Sequence, residues 1–185
     1  MYRIVLVIFL SLSFHFLFAQ DVDLKTGLVT YKGSFENTEG NIESAESKIM
    51  DLLKEVSITD TLETEQIDGY TLITIHGGIP VYYSAKMASN YDPNSTASLW
   101  LKDAKPYGHF NYQGLIKIRE GQIHFKFDEF VHHLPKKPKN SCGPIEQVKG
   151  HRTSEDYWNN YKMQVEEKMI SLVEALEGSL TAETW

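Results

Sequence analysis

The chain of 185 residues has a single cysteine, Cys142, so no intramolecular disulfide can form. Its stability must come from a hydrophobic core, unlike that of small disulfide-stapled scaffolds. Positive charge is scarce as well: 18 Lys and Arg stand against 25 Asp and Glu, for a net charge of −7. Such a balance argues against nucleic acid as a partner, because that binding is driven by cations on phosphates. No apolar run is long enough for a membrane-spanning helix. The longest, Ile4 to Phe18, is about fifteen residues, short of the roughly 20 required. There is no lysine-bearing glycine loop for phosphates; His76-Gly77-Gly78-Ile79-Pro80 is too short for one. No serine sits in a Gly-x-Ser-x-Gly elbow.

The short apolar run has another reading. Met1-Tyr2-Arg3 precedes it, Ala19-Gln20 follows, and the chain turns polar from Asp21. One cation, an apolar stretch and a small residue at the cut make a secretory signal peptide, residues 1–19, cleaved after Ala19. The expectation is a secreted or periplasmic protein with no membrane insertion after signal removal. A retained anchor is the alternative. Residues 20–185 then suit one domain with a sizeable core.

Alternation and helical spacing divide that domain. Residues 20–27 are a polar lead-in. Leu28 to Phe35 alternates as a strand. Asn41 is a fair N-cap for a helix over 42–56, striped by Ile42, Ala45, Ile49, Leu52, Leu53 and Val56. Thr61–Ile67 and Tyr70–Ile75 flank Asp68-Gly69, a two-residue hairpin signal. Gly77-Gly78 predicts a bulge before Val81-Tyr82-Tyr83. Residues 85–107 carry little pattern. The best-patterned hairpin is Phe110–Ile118 and Ile123–Phe127 around Glu120-Gly121, followed by an exposed Pro- and Lys-rich loop over 134–153. A last helix starts at Ser154, with Thr153 and Asp156 spaced like a capping box and Gly178 as its C-cap. The order β-α-β-β-β-β-α predicts an α+β two-layer sandwich: an antiparallel sheet with two helices on one face.

Three stretches carry a resemblance. Gly27-Leu28-Val29-Thr30-Tyr31 matches an opening strand, and Ala45 to Leu53 a first helix. Gly114-Leu115-Ile116-Lys117-Ile118-Arg119-Glu120-Gly121-Gln122-Ile123-His124-Phe125-Lys126-Phe127-Asp128-Glu129-Phe130 matches a strand, a glycine turn and a strand ending in an Asp-x-Phe element. With the helix bearing Trp158, these resemble a secreted domain-of-unknown-function family of Bacteroidetes with a TBP-like (TATA-binding-protein-like) fold. The resemblance implies β-α-β4-α. It implies no activity, no cofactor and no catalytic residues.

Three kinds of site are open to the residues themselves. Metal binding would draw on His124, Asp128, His132 and His133, with Glu129, Cys142 and His151 nearby. The spacing is unfavourable, since His124 and Asp128 share a strand face while Glu129 points away. Nucleophilic catalysis would pair Cys142 with His132, His133 or His151. Binding would use the helix-free face of the sheet, through Asn111, Gln113, Lys117, Arg119, His124 and Lys126. The aromatics of the irregular segments, Tyr82, Tyr91, Trp100, Tyr107 and Tyr112, would join it. The leading expectation is a non-catalytic extracytoplasmic binding or interaction module for a protein, peptide or glycan, with no cofactor. The alternatives are a hydrolase or metal-dependent enzyme using 124–151, and a structural envelope component.

Overall fold

A computed structural model describes residues 19–22, 27–37, 41–56, 58–82, 106–151 and 153–181. The signal-peptide reading over 1–18, the segment 83–105, Tyr91 and Trp100 lie outside the described residues. The elements run β1 (Ala19–Val22), β2 (Val29–Glu36), α1 (Ile42–Glu55), β3 (Thr59–Ile67), β4 (Tyr70–Val81), β5 (Gly108–Arg119), β6 (Gln122–His133), a 3-10 turn (Pro138–Asn140), β7 (Gly143–Pro144) and α2 (Glu155–Thr181).

The helices start where side chains satisfy exposed backbone donors. The Asn41 side chain accepts the Glu43 N–H at 2.8 Å, and Ala45, Ile49 and Leu53 bury one stripe of α1. In α2 the accepting hydroxyl belongs to Ser154, which receives the Tyr157 N–H at 3.4 Å; this replaces the capping box expected at Thr153. Nor does Gly178 end the helix. It is exposed inside α2, and burial of Leu180 carries the helix on through Thr181 despite the low propensity of glycine.

The strands form one antiparallel sheet in the order β1-β2-β6-β5-β4-β3, with β7 paired to the far end of β6. β1 falls at the start of the expected lead-in. It is held by backbone pairing to β2, from Ala19 opposite Lys32 to Val22 opposite Val29, which needs no apolar alternation. The bulge expected at Gly77-Gly78 is on the partner strand instead, between Thr59 and Thr61. Gly77 is there for room: a Cβ would lie 2.2 Å from the Ile58 carbonyl oxygen and 2.6 Å from the Tyr112 ring. The loop after β6 is more ordered than its prolines suggest, holding the 3-10 turn and β7.

Both helices lie on the same face of the sheet. Strand residues Tyr31, Ile73, Ile75, Tyr112, Ile116, Ile118 and Phe127 meet Ile49 and Leu53 of α1 and Val165, Met169 and Leu176 of α2 in one core. The two-layer α+β sandwich follows. Tyr112 is therefore a core residue, with its hydroxyl donating to the Ile58 carbonyl at 3.3 Å, and no part of a binding face.

A second irregularity decides what β6 presents. Glu129 has φ +58°, and the β5–β6 register shifts between Asn111 and Gln113. One extra residue in β6 reverses the alternation beyond Asp128. Up to Phe127 the odd-numbered residues face the core. After the bulge Phe130 and His132 do, and Val131 is exposed.

Candidate functional site

The face without helices is built by β3, β4, β5, β6 and β2, and its residues fall into cross-strand rows. Glu63, Thr74, Leu115, Lys126 and Lys32 form one row. Glu65, Leu72, Lys117, His124 and Ser34 form the next. Thr61, His76, Gln113 and Asp128 flank the first row on its other side. Asn111, Arg119 and His124 are exposed, and Gln113, Lys117 and Lys126 are half-buried. All six sheet residues expected from the sequence share this face, because strand alternation alone assigns them to it.

Charge on the face is segregated. Lys32 stands directly opposite Lys126, and Lys117 opposite His124, so the lysines of this face lie on β2, β6 and β5. Lys126 is ion-paired with Asp128. The Lys117 ammonium lies 3.8 Å from the centre of the Tyr70 ring and the Arg119 guanidinium 5.7 Å from it, a cation–π contact that holds both side chains on the surface. The β3 edge carries Glu63 and Glu65 instead. Between the two areas lie Leu72, half-buried, and Leu115, exposed. A shallow polar cleft of about 550 Å³, lined by Asn41, Glu43, Gln66, Tyr70 and Glu120 among others, opens at the end of the sheet where the start of α1 meets the β3–β4 and β5–β6 turns. Tyr70, Leu72, Glu63, Glu65 and Lys32 were not among the residues expected from the sequence. Alternation in β2 and β4 could have found Lys32 and the β4 pair.

Among the described aromatics of the irregular segments, Tyr107 turns to the helix side of the sheet. Tyr82 has its backbone N–H and carbonyl bracketed by the Gln164 side chain, at 2.9 and 3.2 Å. Tyr107 stacks on His132 and on Tyr161, each at 5.7 Å between ring centres.

The histidine-rich stretch does not converge either. His124 is on the open face. His133 lies opposite His109, and His151 is exposed on the loop. Among the described residues no three His, Cys, Asp or Glu side chains come together as a metal-holding group. His132 is buried. Its Nδ1 accepts the Cys142 backbone N–H at 3.1 Å, which places the ring proton on Nε2. Nε2 has no hydrogen-bond partner, and Tyr107, Phe110, Trp158 and Tyr161 surround the ring. Burial, then the neighbouring His133 and His109, lower its pKa to about 4. The imidazole is neutral at pH 7.

Cys142 is also buried, and burial pushes its thiol pKa up. The thiolate, the form that attacks, is disfavoured. A thiol reagent is expected to label Cys142 at least about 100-fold more slowly in the folded protein than in denaturant, where exposure is complete. Equal rates would show that the loop over 134–153 opens readily.

No known family profile matches the chain, and no curated protein does. Among solved structures it is similar to two from Bacteroidetes. A TBP-like protein from Parabacteroides distasonis aligns over 88% of this chain and 99% of its own, at 13% identity and a TM-score of 0.49. A DUF4468 family protein from Bacteroides ovatus aligns over 88% of this chain and 90% of its own, at 9% identity and a TM-score of 0.51. At such identity the likeness shows the fold alone, and the α+β fold described above is the one shared with the DUF4468 family protein.

Proposed function

We propose that this chain is a non-catalytic, extracytoplasmic interaction module whose working surface is the open sheet face. The observation that carries the reading is the face itself. Five strands present polar and charged side chains and half-buried Tyr70, with exposed Leu115 at the centre, and both helices lie behind. Rigid strands also hold recognition groups in fixed positions better than loops do. The chain is exported by its N-terminal segment; cleavage after Ala19 leaves Gln20–Val22 paired to β2.

The test is a photoreactive amino acid placed at Leu115 of the full chain in the cells that make it. Met163, exposed on α2, serves as the control position. Ultraviolet-dependent adducts at Leu115 and none at Met163 are expected, with mass spectrometry identifying the partner. No adduct at Leu115, or equal adducts at both positions, would overturn the reading. Amino-terminal sequencing of the product checks the export step, with Gln20 as the expected first residue.

A further inference from the structure

We infer that the β3 edge of the sheet binds a basic, extended segment of a partner protein, which adds to it as an antiparallel strand. This surface is separate from Leu115, and the inference stands apart from the reading of the open face. Among the described residues β3 is one margin of the sheet and β1 the other. Sheets usually guard such margins with short strands, prolines, lysines or bulges. β1 is four residues long. β3 has nine, with no proline or lysine, and its bulge is at its beginning, between Thr59 and Thr61.

The backbone and the helix side both leave room for another strand. Counting back from the two-residue turn at Asp68-Gly69, Ile67, Glu65 and Glu63 bond to Tyr70, Leu72 and Thr74 of β4. Leu62, Thr64 and Gln66 therefore turn their N–H and C=O groups away from the sheet. On the helix side, α1 stops short of covering this edge. Leu62 and Met50 are half-buried at the margin of the core, and Thr64 and Gln66 are exposed. The Thr64 hydroxyl donates to the Met50 sulfur at 3.8 Å, which sets Met50 beside the strand. An apolar side chain from an added strand would finish the burial of Leu62 and Met50.

Charge selects the occupant. From Thr59 to Gly69 the chain carries the acids Asp60, Glu63, Glu65 and Asp68 and no base. Glu63 and Glu65 are exposed on the open face, opposite neutral Thr74 and Leu72. Among the described residues no cation pairs with either of them. Lys126 is held by Asp128, and Lys117 and Arg119 rest on Tyr70. A second copy is the wrong partner, because pairing β3 with β3 about its middle sets Glu63 against Glu63. A strand with Lys or Arg at alternate positions instead places cations opposite Glu63 and Glu65, a favourable cross-strand pair. Its intervening residues are the ones that meet Leu62 and Met50, so they are apolar. The partner segment thus alternates basic and apolar residues and binds by strand addition to a sheet edge.

The probe is a short, terminally blocked peptide alternating valine and lysine, titrated against the purified chain by fluorescence anisotropy. It should bind saturably below about 1 mM, and a valine–glutamate counterpart should not. Glu63→Gln with Glu65→Gln changes two exposed residues, so the variant should fold. It should weaken binding about three- to tenfold, the effect of two exposed ion pairs. N-methylation tests the backbone pairing. In antiparallel addition the valines opposite Leu62 and Thr64 exchange backbone bonds with β3, while the lysine N–H groups point away. Methylating the valine amides should therefore abolish binding, and methylating the lysine amides should preserve it. In the protein, hydrogen exchange at the Leu62, Thr64 and Gln66 amides should slow when the peptide binds. No saturable binding up to about 1 mM overturns the inference. So does binding that survives valine methylation, which is charge attraction without strand addition. Binding indifferent to the paired glutamine substitutions overturns it as well. The Leu115 crosslink reads a different surface, so its failure leaves the edge standing, and failure of the peptide leaves the face.

Discussion

Replacing Trp158 by alanine is expected to cost about 3–5 kcal/mol of folding stability, the range for deleting a large buried aromatic side chain. Trp158 is fully buried at the start of α2, and its surroundings come from three other parts of the chain, β5, β6 and the loop before α2. It packs on Phe110 of β5 and His132 of β6, at 5.5 and 6.5 Å between ring centres. Its indole N–H donates to the Gln147 carbonyl at 2.8 Å. Gly150 lies so near that a Cβ there would sit 2.5 Å from the ring. No one of these segments can collapse into the space without moving the others, so the cavity term should be large. Domains of this kind are stable by only about 5–15 kcal/mol, so the loss is a major share. Urea titration followed by circular dichroism measures it. Trp158→Phe separates the contributions. It keeps a ring and loses the hydrogen bond, for about 1 kcal/mol plus a smaller cavity, while the Lys162 ammonium still donates to the Gln147 carbonyl. A cost below about 1 kcal/mol for Trp158→Ala would mean that α2 does not dock as described.

Acid should destabilise the protein through His132. Its pKa is about 4 when folded against an ordinary value of 6.5. Above pH 6.5 the ring is neutral in both states and its contribution is fully present. As pH falls from 6.5 towards 4, the unfolded chain takes up the proton and the folded chain does not, so stability declines. Below about 4 both states are protonated and the loss is complete, at about 3 kcal/mol. The groups around the ring offer no compensation. His109 and His133 are bases, Cys142 presents its backbone N–H, and Tyr107, Phe110, Trp158 and Tyr161 are uncharged aromatics. His132→Asn keeps an acceptor for the Cys142 N–H without a titrating ring. It should lower stability throughout, yet flatten the dependence between pH 6.5 and 5, above the range where carboxylates titrate. Stability measured at several pH values in wild type and variant decides this, and an unchanged slope would assign the acid sensitivity to other groups.

Much of the sheet was legible because alternation carries over long stretches. Phe110 to Ile118 and Ile123 to Phe127 alternate without interruption, and Gly121 marks the turn with φ +76°. The residues between the apolar ones, Asn111, Gln113, Lys117, Arg119, His124 and Lys126, could only share the other face. Asn41 and the stripe through Ile49 likewise place α1 to within a residue or two. β1 was not legible, since an edge strand held by backbone bonds leaves no side-chain pattern. Gly178 misled for a related reason: a glycine near a helix end is a stop signal locally, but the burial of Leu180 outweighs it.

His124 and His132 mark the boundary between the two kinds of information. Both are even-numbered positions on one strand, and simple alternation sets them on the same face. The sequence by itself determined that His124 would be presented with Lys117 and Lys126, because uninterrupted pleating leaves no alternative. Only the tertiary structure decided that His132 would turn inward. Glu129 takes up one extra residue against β5, and everything beyond it exchanges faces. The physical reason is that a bulge depends on pairing with another strand. Here the aromatics of β5, α2 and the chain before β5 supply the cage that rewards the inward turn, and none of them is local to His132 in sequence.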